Sequence, residues 1–86
     1  MSESCETTLV LPAHLHARPA GALVKVAAAF QSTVEVEFNG RTANARGVLG
    51  LMSLGAMAGQ TVVIRATGAD SAAALDAVTA ALATAV

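Results

Sequence analysis

A short segment near the start of the chain holds the side chains best suited to carry chemistry. It reads His14-Leu15-His16-Ala17-Arg18-Pro19-Ala20 and lies where a loop is predicted to enter a helix. The first turn of a helix presents unpaired backbone N–H groups and the positive end of the helix dipole, so it binds phosphate. An imidazole there is nucleophilic near neutral pH, and its phosphorylated form can pass the group on. This pattern favours phosphoryl transfer through His16, with the Arg18 guanidinium bonding to phosphate oxygens.

Two further basic residues could assist. Lys25 follows Arg18 by about two helical turns on roughly the same face, and Arg46 precedes the second predicted helix. Three of the five basic residues could then surround His16, or Lys25 and Arg46 could be ordinary solvated charges that attract an acidic partner. Spacing alone also leaves open that His16 is a surface histidine without a role.

A metal site is the less favoured interpretation of the same segment. His14 and His16 would share a face of an extended chain. The chain has only two histidines and one cysteine, Cys5, which is expected in a loose terminus, whereas a closed site needs about four ligands. We therefore expect no metal and no cofactor.

The hydrophobic pattern predicts the elements that position this segment, in the order β-α-β-β-α-β-α. Strands are predicted at 7–11, 33–38, 41–44 and 60–66, and helices at 17 to 29 or 30, at 47–54 and from 70 or 71 onward. Asn39-Gly40 is the strongest hairpin signal, Gly55 suits a helix C-terminal cap, and Asp70 or Ser71 can cap the last helix.

Regularly spaced apolar side chains define the expected core. They are Ala20, Leu23, Val24, Ala27 and Phe30 on the first helix; Val34, Val36 and Phe38 on the second strand; Val62, Ile64 and Ala66 on the fourth; and Leu75, Val78 and Leu82 on the last helix. The second helix is apolar nearly all round, and we assign Leu51 and Leu54 to the core. The fold class is α+β, an antiparallel sheet with helices on one face.

Composition excludes several other functions. The 86 residues support one domain over 1–86, with 55% hydrophobic and 2% aromatic residues and a net charge of −1. A basic face or stacking platform for nucleic acid is therefore not expected. The uncharged stretch 47–64 is broken by four glycines and changes from helical to strand-like character, so we expect no membrane insertion. One cysteine and no signal-like start favour the cytoplasm.

Two blocks of the sequence resemble the histidine-containing phosphocarrier (HPr) family of the bacterial sugar phosphotransferase system. The first is Leu15-His16-Ala17-Arg18-Pro19-Ala20, and the second runs from Ala43 to Gly55, ANARGVLGLMSLG. Their spacing, the chain length and the element order also agree, so the resemblance covers roughly residues 6–86. It implies an open-faced β-sandwich of four antiparallel strands with three helices on one side.

The resemblance also implies a function and a set of site residues. His16 would accept a phosphoryl group at Nδ1 from Enzyme I, itself charged by phosphoenolpyruvate, and donate it to enzyme IIA domains of sugar transporters. Arg18 would contact the phosphate, and the backbone N–H groups of Ala17 and Arg18 would complete the cradle. The exposed face of the second helix would dock partners through Val48, Leu49 and Met52, although periodicity alone would place these residues in the core. Relatives suggest a monomer, and a carrier of this kind is not a stand-alone turnover enzyme.

Two positions depart from the family pattern. Gly47 stands where many relatives have a regulatory serine, so a serine switch is not expected there. His14 stands where glycine is common, and we expect it to be a solvated bystander. Three functions stay open: the general carrier, a paralogue in a fructose-specific or nitrogen-regulatory branch, and a docking module that reports cell state to partners such as transcriptional regulators.

Overall fold

The computed structural model describes residues 3–84 and has the predicted element order. The elements are β1 (Ser4–Val10), α1 (Ala17–Ala27), β2 (Thr33–Phe38), β3 (Arg41–Asn44), α2 (Val48–Ser53), β4 (Thr61–Thr67) and α3 (Ser71–Ala83). The strands form one antiparallel sheet in the order β1-β4-β2-β3, and the three helices pack over one face of it. The α+β open-faced β-sandwich is therefore confirmed. Within residues 3–84, no helix combines the length and apolar character that crossing a bilayer requires.

The core lies between the sheet and the helices. On the central strands β2 and β4, alternate side chains face the helices and are almost fully buried: Val34, Val36, Val62, Ile64 and Ala66. On the opposite face, Arg65 forms ion pairs with Glu6 at 3.1 Å and Glu37 at 3.4 Å. The predicted core residues Val24, Phe30, Phe38 and Leu75 are only half-buried at its edge. The period of two thus predicts correctly which face of the sheet is covered.

The β2–β3 hairpin has the predicted bounds and turn. Asn39 and Gly40 have φ angles of 53° and 80°. Two successive positive φ angles define the turn whose twist matches that of the flanking strands. The register then pairs Phe38 with Arg41 and Glu35 with Asn44.

The first strand begins earlier than its hydrophobicity predicts. β1 starts at Ser4, paired with Thr67, instead of at residue 7, and it ends at Val10. Strand pairing uses backbone groups, so polar residues can extend a ladder whose partner strand is available. Cys5, expected in a loose terminus, therefore lies within β1, where its Sγ is 3.5 Å from the Ser71 hydroxyl.

The Asp70 carboxylate does not cap its own helix as predicted. Asp70 occupies the N-cap position of α3 but forms no side-chain capping bond. Instead its Oδ2 accepts from the Gln31 N–H at 2.9 Å, and its Oδ1 accepts from the Ser32 N–H at 2.8 Å and from the Ser32 hydroxyl. The Ser32 hydroxyl, followed by the Gln31 N–H, lowers the pKa of Asp70.

This contact also accounts for the early end of α1. The helix ends at Ala27, before the predicted 29 or 30, and its last bonds tighten to the three-residue type, such as Phe30 N–H to the Ala27 carbonyl at 3.2 Å. The chain must then turn so that Gln31 and Ser32 reach Asp70. A contact 38 residues away along the sequence thus sets a boundary that local propensity places later.

Candidate functional site

The loop that carries the two histidines is tied to the turn between α2 and β4. The Leu11 N–H donates to the Gln60 carbonyl at 2.9 Å, and the Gly59 N–H donates to the Leu11 carbonyl at 2.8 Å. Further along, the Leu15 N–H donates to the Ala56 carbonyl at 3.0 Å, and the Leu15 side chain is buried in the core. Because Leu15 points inward, the residues on either side of it, His14 and His16, are presented to solvent.

His16 sits at the N-cap of α1 with its ring turned toward the helix end. Its backbone is extended (φ −92°, ψ −168°), and its carbonyl accepts from the Ala20 N–H at 3.0 Å. Its Nδ1 accepts a long hydrogen bond, 3.4 Å, from the Arg18 N–H. In a neutral ring whose Nδ1 is an acceptor, the proton is on Nε2. The Nδ1 lone pair can therefore act as a nucleophile once this long hydrogen bond is broken.

The N-terminus of α1 adds electrostatic support for an anion on Nδ1. The backbone N–H groups of Ala17 and Arg18 are in the first helical turn, which contains no acidic residue. Pro19 follows and has no N–H, so it leaves no donor unpaired. A phosphoryl group on Nδ1 would thus meet the N–H of Arg18 and the positive end of the helix dipole.

The structure places only Arg18 of the predicted basic residues beside His16. Lys25 is exposed in the last turn of α1, about 13 Å along the helix axis from His16 at about 1.5 Å per residue. Arg46 donates from Nη2 to the carbonyl of Phe30, beyond the opposite end of α1. The three cations therefore do not surround His16, and of the three only Arg18 lies with it at the start of α1.

An apolar surface borders the histidines. Leu49 is 79% exposed and Met52 39%, whereas Leu51 and Leu54 are buried as predicted. Val48, expected on the docking face, is half-buried and packs against the core. The N-cap of α2 is Gly47, which forms no side-chain capping bond.

Sequence reasoning missed one member of this surface, Met57. It is 50% exposed in the turn between α2 and β4 and, together with the histidines, lines a shallow depression of about 300 Å³. The depression is lined by His14, Leu15, His16, Met52, Gly55, Ala56 and Met57. No signal in the sequence singles out Met57, because isolated apolar side chains are common on protein surfaces.

His14 is exposed, as expected for a solvated residue, and it also forms two hydrogen bonds within the fold. Its Nδ1 accepts from the Ala58 N–H at 3.0 Å, and its carbonyl accepts from the His16 N–H at 2.8 Å. Both bonds join His14 to neighbours of the site.

Comparison with known proteins identifies the family. Residues 3–84 match the family described as "PTS HPr component phosphorylation site". The fold is similar to that of the phosphocarrier protein HPr from Bacillus anthracis, with 32% identity, a TM-score of 0.81, and coverage of 94% of this chain and 96% of that one. It is also similar to a histidine-containing phosphocarrier protein of Mycoplasma, with 26% identity, a TM-score of 0.84, and coverage of 93% and 99%.

A third similar structure is Crh, a catabolite repression protein of Bacillus subtilis described as a swapped dimer. It has 38% identity and a TM-score of 0.76, with coverage of 86% of this chain and 85% of that one. Together with the position of His16 at the N-terminus of α1, the match over 3–84 means that this chain belongs to the HPr family of phosphocarrier components of the phosphotransferase system.

Proposed function

We propose that this protein accepts a phosphoryl group on His16 from phosphoenolpyruvate-charged Enzyme I and donates it to enzyme IIA domains of sugar transport. The observation that carries the proposal is the exposed His16 imidazole at the α1 N-terminus, with Nδ1 facing the Arg18 N–H. The protein is not a stand-alone turnover enzyme in this scheme. It holds the group between two other proteins, in the cytoplasm, without a cofactor.

The transfer step follows from the neutral His16 ring, which has its proton on Nε2 and its lone pair on Nδ1. The Nδ1 lone pair of His16 attacks phosphorus and forms the N–P bond, while the bond from phosphorus to the donor breaks and its electron pair returns to the donor. The Nε2 proton stays in place, so the phosphorylated ring is cationic and remains a good leaving group. The reverse sequence at an acceptor nucleophile releases neutral His16. Most of the catalysis is positioning and neutralisation of the phosphoryl oxygens.

The residues around His16 take different parts in this step. The N–H groups of Ala17 and Arg18 donate to phosphoryl oxygens, and the Arg18 guanidinium is long enough to bond to them from solvent. Lys25, in the last turn of α1, and Arg46, bonded to Phe30 beyond the end of that helix, lie too far from His16 for contact, so they act on partners by long-range attraction. That role is consistent with their exposure.

Partners dock on the apolar surface formed by Leu49, Met52 and the accessible part of Val48. Leu49 and Met52 are among the large apolar side chains that the fold leaves exposed, and Met52 lines the same depression as His16. A partner seated on this surface would also cover the histidine and exclude water during transfer. Methionine side chains adapt their shape, which suits a surface that must receive several partners.

A regulatory docking module is the second candidate function. The similarity to Crh, a protein described by its part in catabolite repression, favours it. Such a module would bind regulators through the same apolar surface and would not need His16 to carry phosphate. A carrier in a fructose-specific or nitrogen-regulatory branch would use the same chemistry with other acceptors. We propose a monomer, although the Crh structure is a swapped dimer.

The experiment is phosphoryl transfer from labelled phosphoenolpyruvate through Enzyme I. We expect one acid-labile, base-stable phosphoryl group on the wild-type protein and none on His16→Ala, which retains His14 and should fold normally because His16 is exposed. Label that persists in His16→Ala would place the acceptor elsewhere. A folded wild-type protein that takes no label from active Enzyme I would favour the docking module.

A further inference from the structure

His14 is hydrogen-bonded both to the turn between α2 and β4 and to His16. Its ring accepts at Nδ1 from the Ala58 N–H at 3.0 Å, a bond that spans 44 residues of sequence. Its carbonyl accepts from the His16 N–H at 2.8 Å, across the buried Leu15. The side chain of one residue thus ties the α2–β4 turn to the loop, and its backbone holds the residue that enters α1.

A second hydrogen bond to the turn comes from the N–H of the His14–Leu15 peptide, whose carbonyl accepts from His16. The Leu15 N–H donates to the Ala56 carbonyl at 3.0 Å. Two residues of the turn are therefore hydrogen-bonded to the histidine loop: Ala56 to the Leu15 backbone and Ala58 to the His14 ring. Two further bonds, from the Leu11 N–H to the Gln60 carbonyl and from the Gly59 N–H to the Leu11 carbonyl, hold the start of the loop, so the His14 ring adds a side-chain bond close to His16.

We propose that His14 is a positioning residue for His16, acting through the Nδ1 bond to the Ala58 N–H. This inference rests on the proposed phosphocarrier function. Because Nδ1 accepts, the neutral His14 ring carries its proton on Nε2, and the Ala58 N–H, which would otherwise need water, is paired. The bond fixes the His14 carbonyl, which fixes the His16 N–H and so the direction in which the His16 ring meets the N-terminus of α1.

Three substitutions of His14 test whether an acceptor atom at the position of Nδ1 is required. The Oδ1 atom of asparagine is separated from Cα by the same number of bonds as Nδ1 of histidine, so His14→Asn keeps an acceptor at the required place. The oxygen of glutamine lies one carbon further out, so His14→Gln keeps size and polarity but moves the acceptor. His14→Ala removes it. Because the His14 side chain is exposed, all three variants should unfold near the wild-type temperature.

The test is the rate of phosphoryl acceptance at saturating Enzyme I, where a weaker affinity for the partner would not lower the rate. His14→Ala and His14→Gln should be roughly tenfold slower than wild type, between the factor of about five for one hydrogen bond and that of about a hundred for a misplacement of about 1 Å. His14→Asn should stay within about threefold of wild type. Wild-type rates in His14→Ala, or an Asn variant as slow as the Ala variant, would overturn the positioning role.

The hydrogen bond itself is measured without any phosphoryl donor. In 15N-labelled wild-type protein, the N–H···N bond should give a scalar coupling between the Ala58 amide nitrogen and His14 Nδ1, and the His16 ring nitrogen shifts should change in His14→Ala but not in His14→Asn. Absence of the coupling would overturn the inference directly. A wild-type protein that shows the coupling but accepts no phosphoryl group would overturn the proposed function, and the positioning role with it.

Discussion

Two leucines on α2 should respond in opposite ways when each is shortened to alanine. Leu51 is 0% exposed in the core, and Leu49, two residues earlier on the same helix, is 79% exposed. Leu51→Ala should lower the free energy of unfolding by about 2–5 kcal/mol, because a cavity is left in a packed interior. At about 4–8 °C per kcal/mol for a domain of this size, Tm should fall by at least about 8 °C. Leu49→Ala should change the free energy of unfolding by less than about 0.5 kcal/mol.

For partner binding, we expect Leu49→Ala to have the larger effect of the two variants. Leu49→Ala removes three carbons, each worth about 0.8 kcal/mol when buried. A partner that covers the 79% now exposed would lose about 1.9 kcal/mol, which is about a 20-fold weaker Kd. The assay is calorimetric titration with Enzyme I, beside thermal unfolding of each variant. Val10→Ala is the matched control, since Val10 is 59% exposed but faces away from the helices.

Either measurement can contradict this division of α2. If Leu49→Ala binds Enzyme I within about twofold of wild type, the exposed face of α2 is not the docking surface. If Leu49→Ala lowers Tm as much as Leu51→Ala does, the division of α2 into a buried and an exposed side is wrong. A loss of binding in Val10→Ala equal to that of Leu49→Ala would show that any exposed apolar side chain has this effect.

Three further results are expected. Arg18→Glu should slow phosphoryl acceptance by roughly 100-fold in rapid-quench kinetics, because it replaces a donor with a charge that repels phosphate; a normal rate would remove Arg18 from the mechanism. Asp70 has a lowered pKa in the folded state, so its contribution to stability is present above the unfolded pKa and is lost as pH falls through the folded one. In urea titrations, Asp70→Asn should therefore lose less stability than wild type between about pH 5 and pH 2, and parallel curves would contradict this. Gly68→Ala would bring a Cβ within 2.6 Å of Ser32 Oγ and 2.8 Å of its Cα, at a φ of 145°, and should cost about 1–3 kcal/mol in chemical unfolding. Gly47→Ala is its control, with a Cβ at an ordinary 3.7 Å from the Asn44 carbonyl, and equal losses would rule out the clash.

Local signals in the sequence predict most of the fold. The bounds of β2 and β3 follow from alternation and the Asn39-Gly40 turn, and the start of α1 follows from the segment around His16. Leu51 and Leu54 are buried as predicted, although periodicity alone would have placed Leu49 and Met52 in the core as well. These features depend on residues two to four positions apart, so the pattern that predicts them is visible in the chain itself.

The place of His16 at a helix start was thus determined by the sequence, whereas its surroundings were decided by the tertiary structure. The Asp70 carboxylate bonds to Ser32 across 38 residues, the His14 ring to Ala58 across 44, and the Arg46 guanidinium to the Phe30 carbonyl and not near His16. Each side chain had a plausible local role, as a helix cap, a solvated ring or a phosphate ligand. A polar group bonds to the partner that the fold brings within about 3 Å, and that partner depends on how the helices and strands pack.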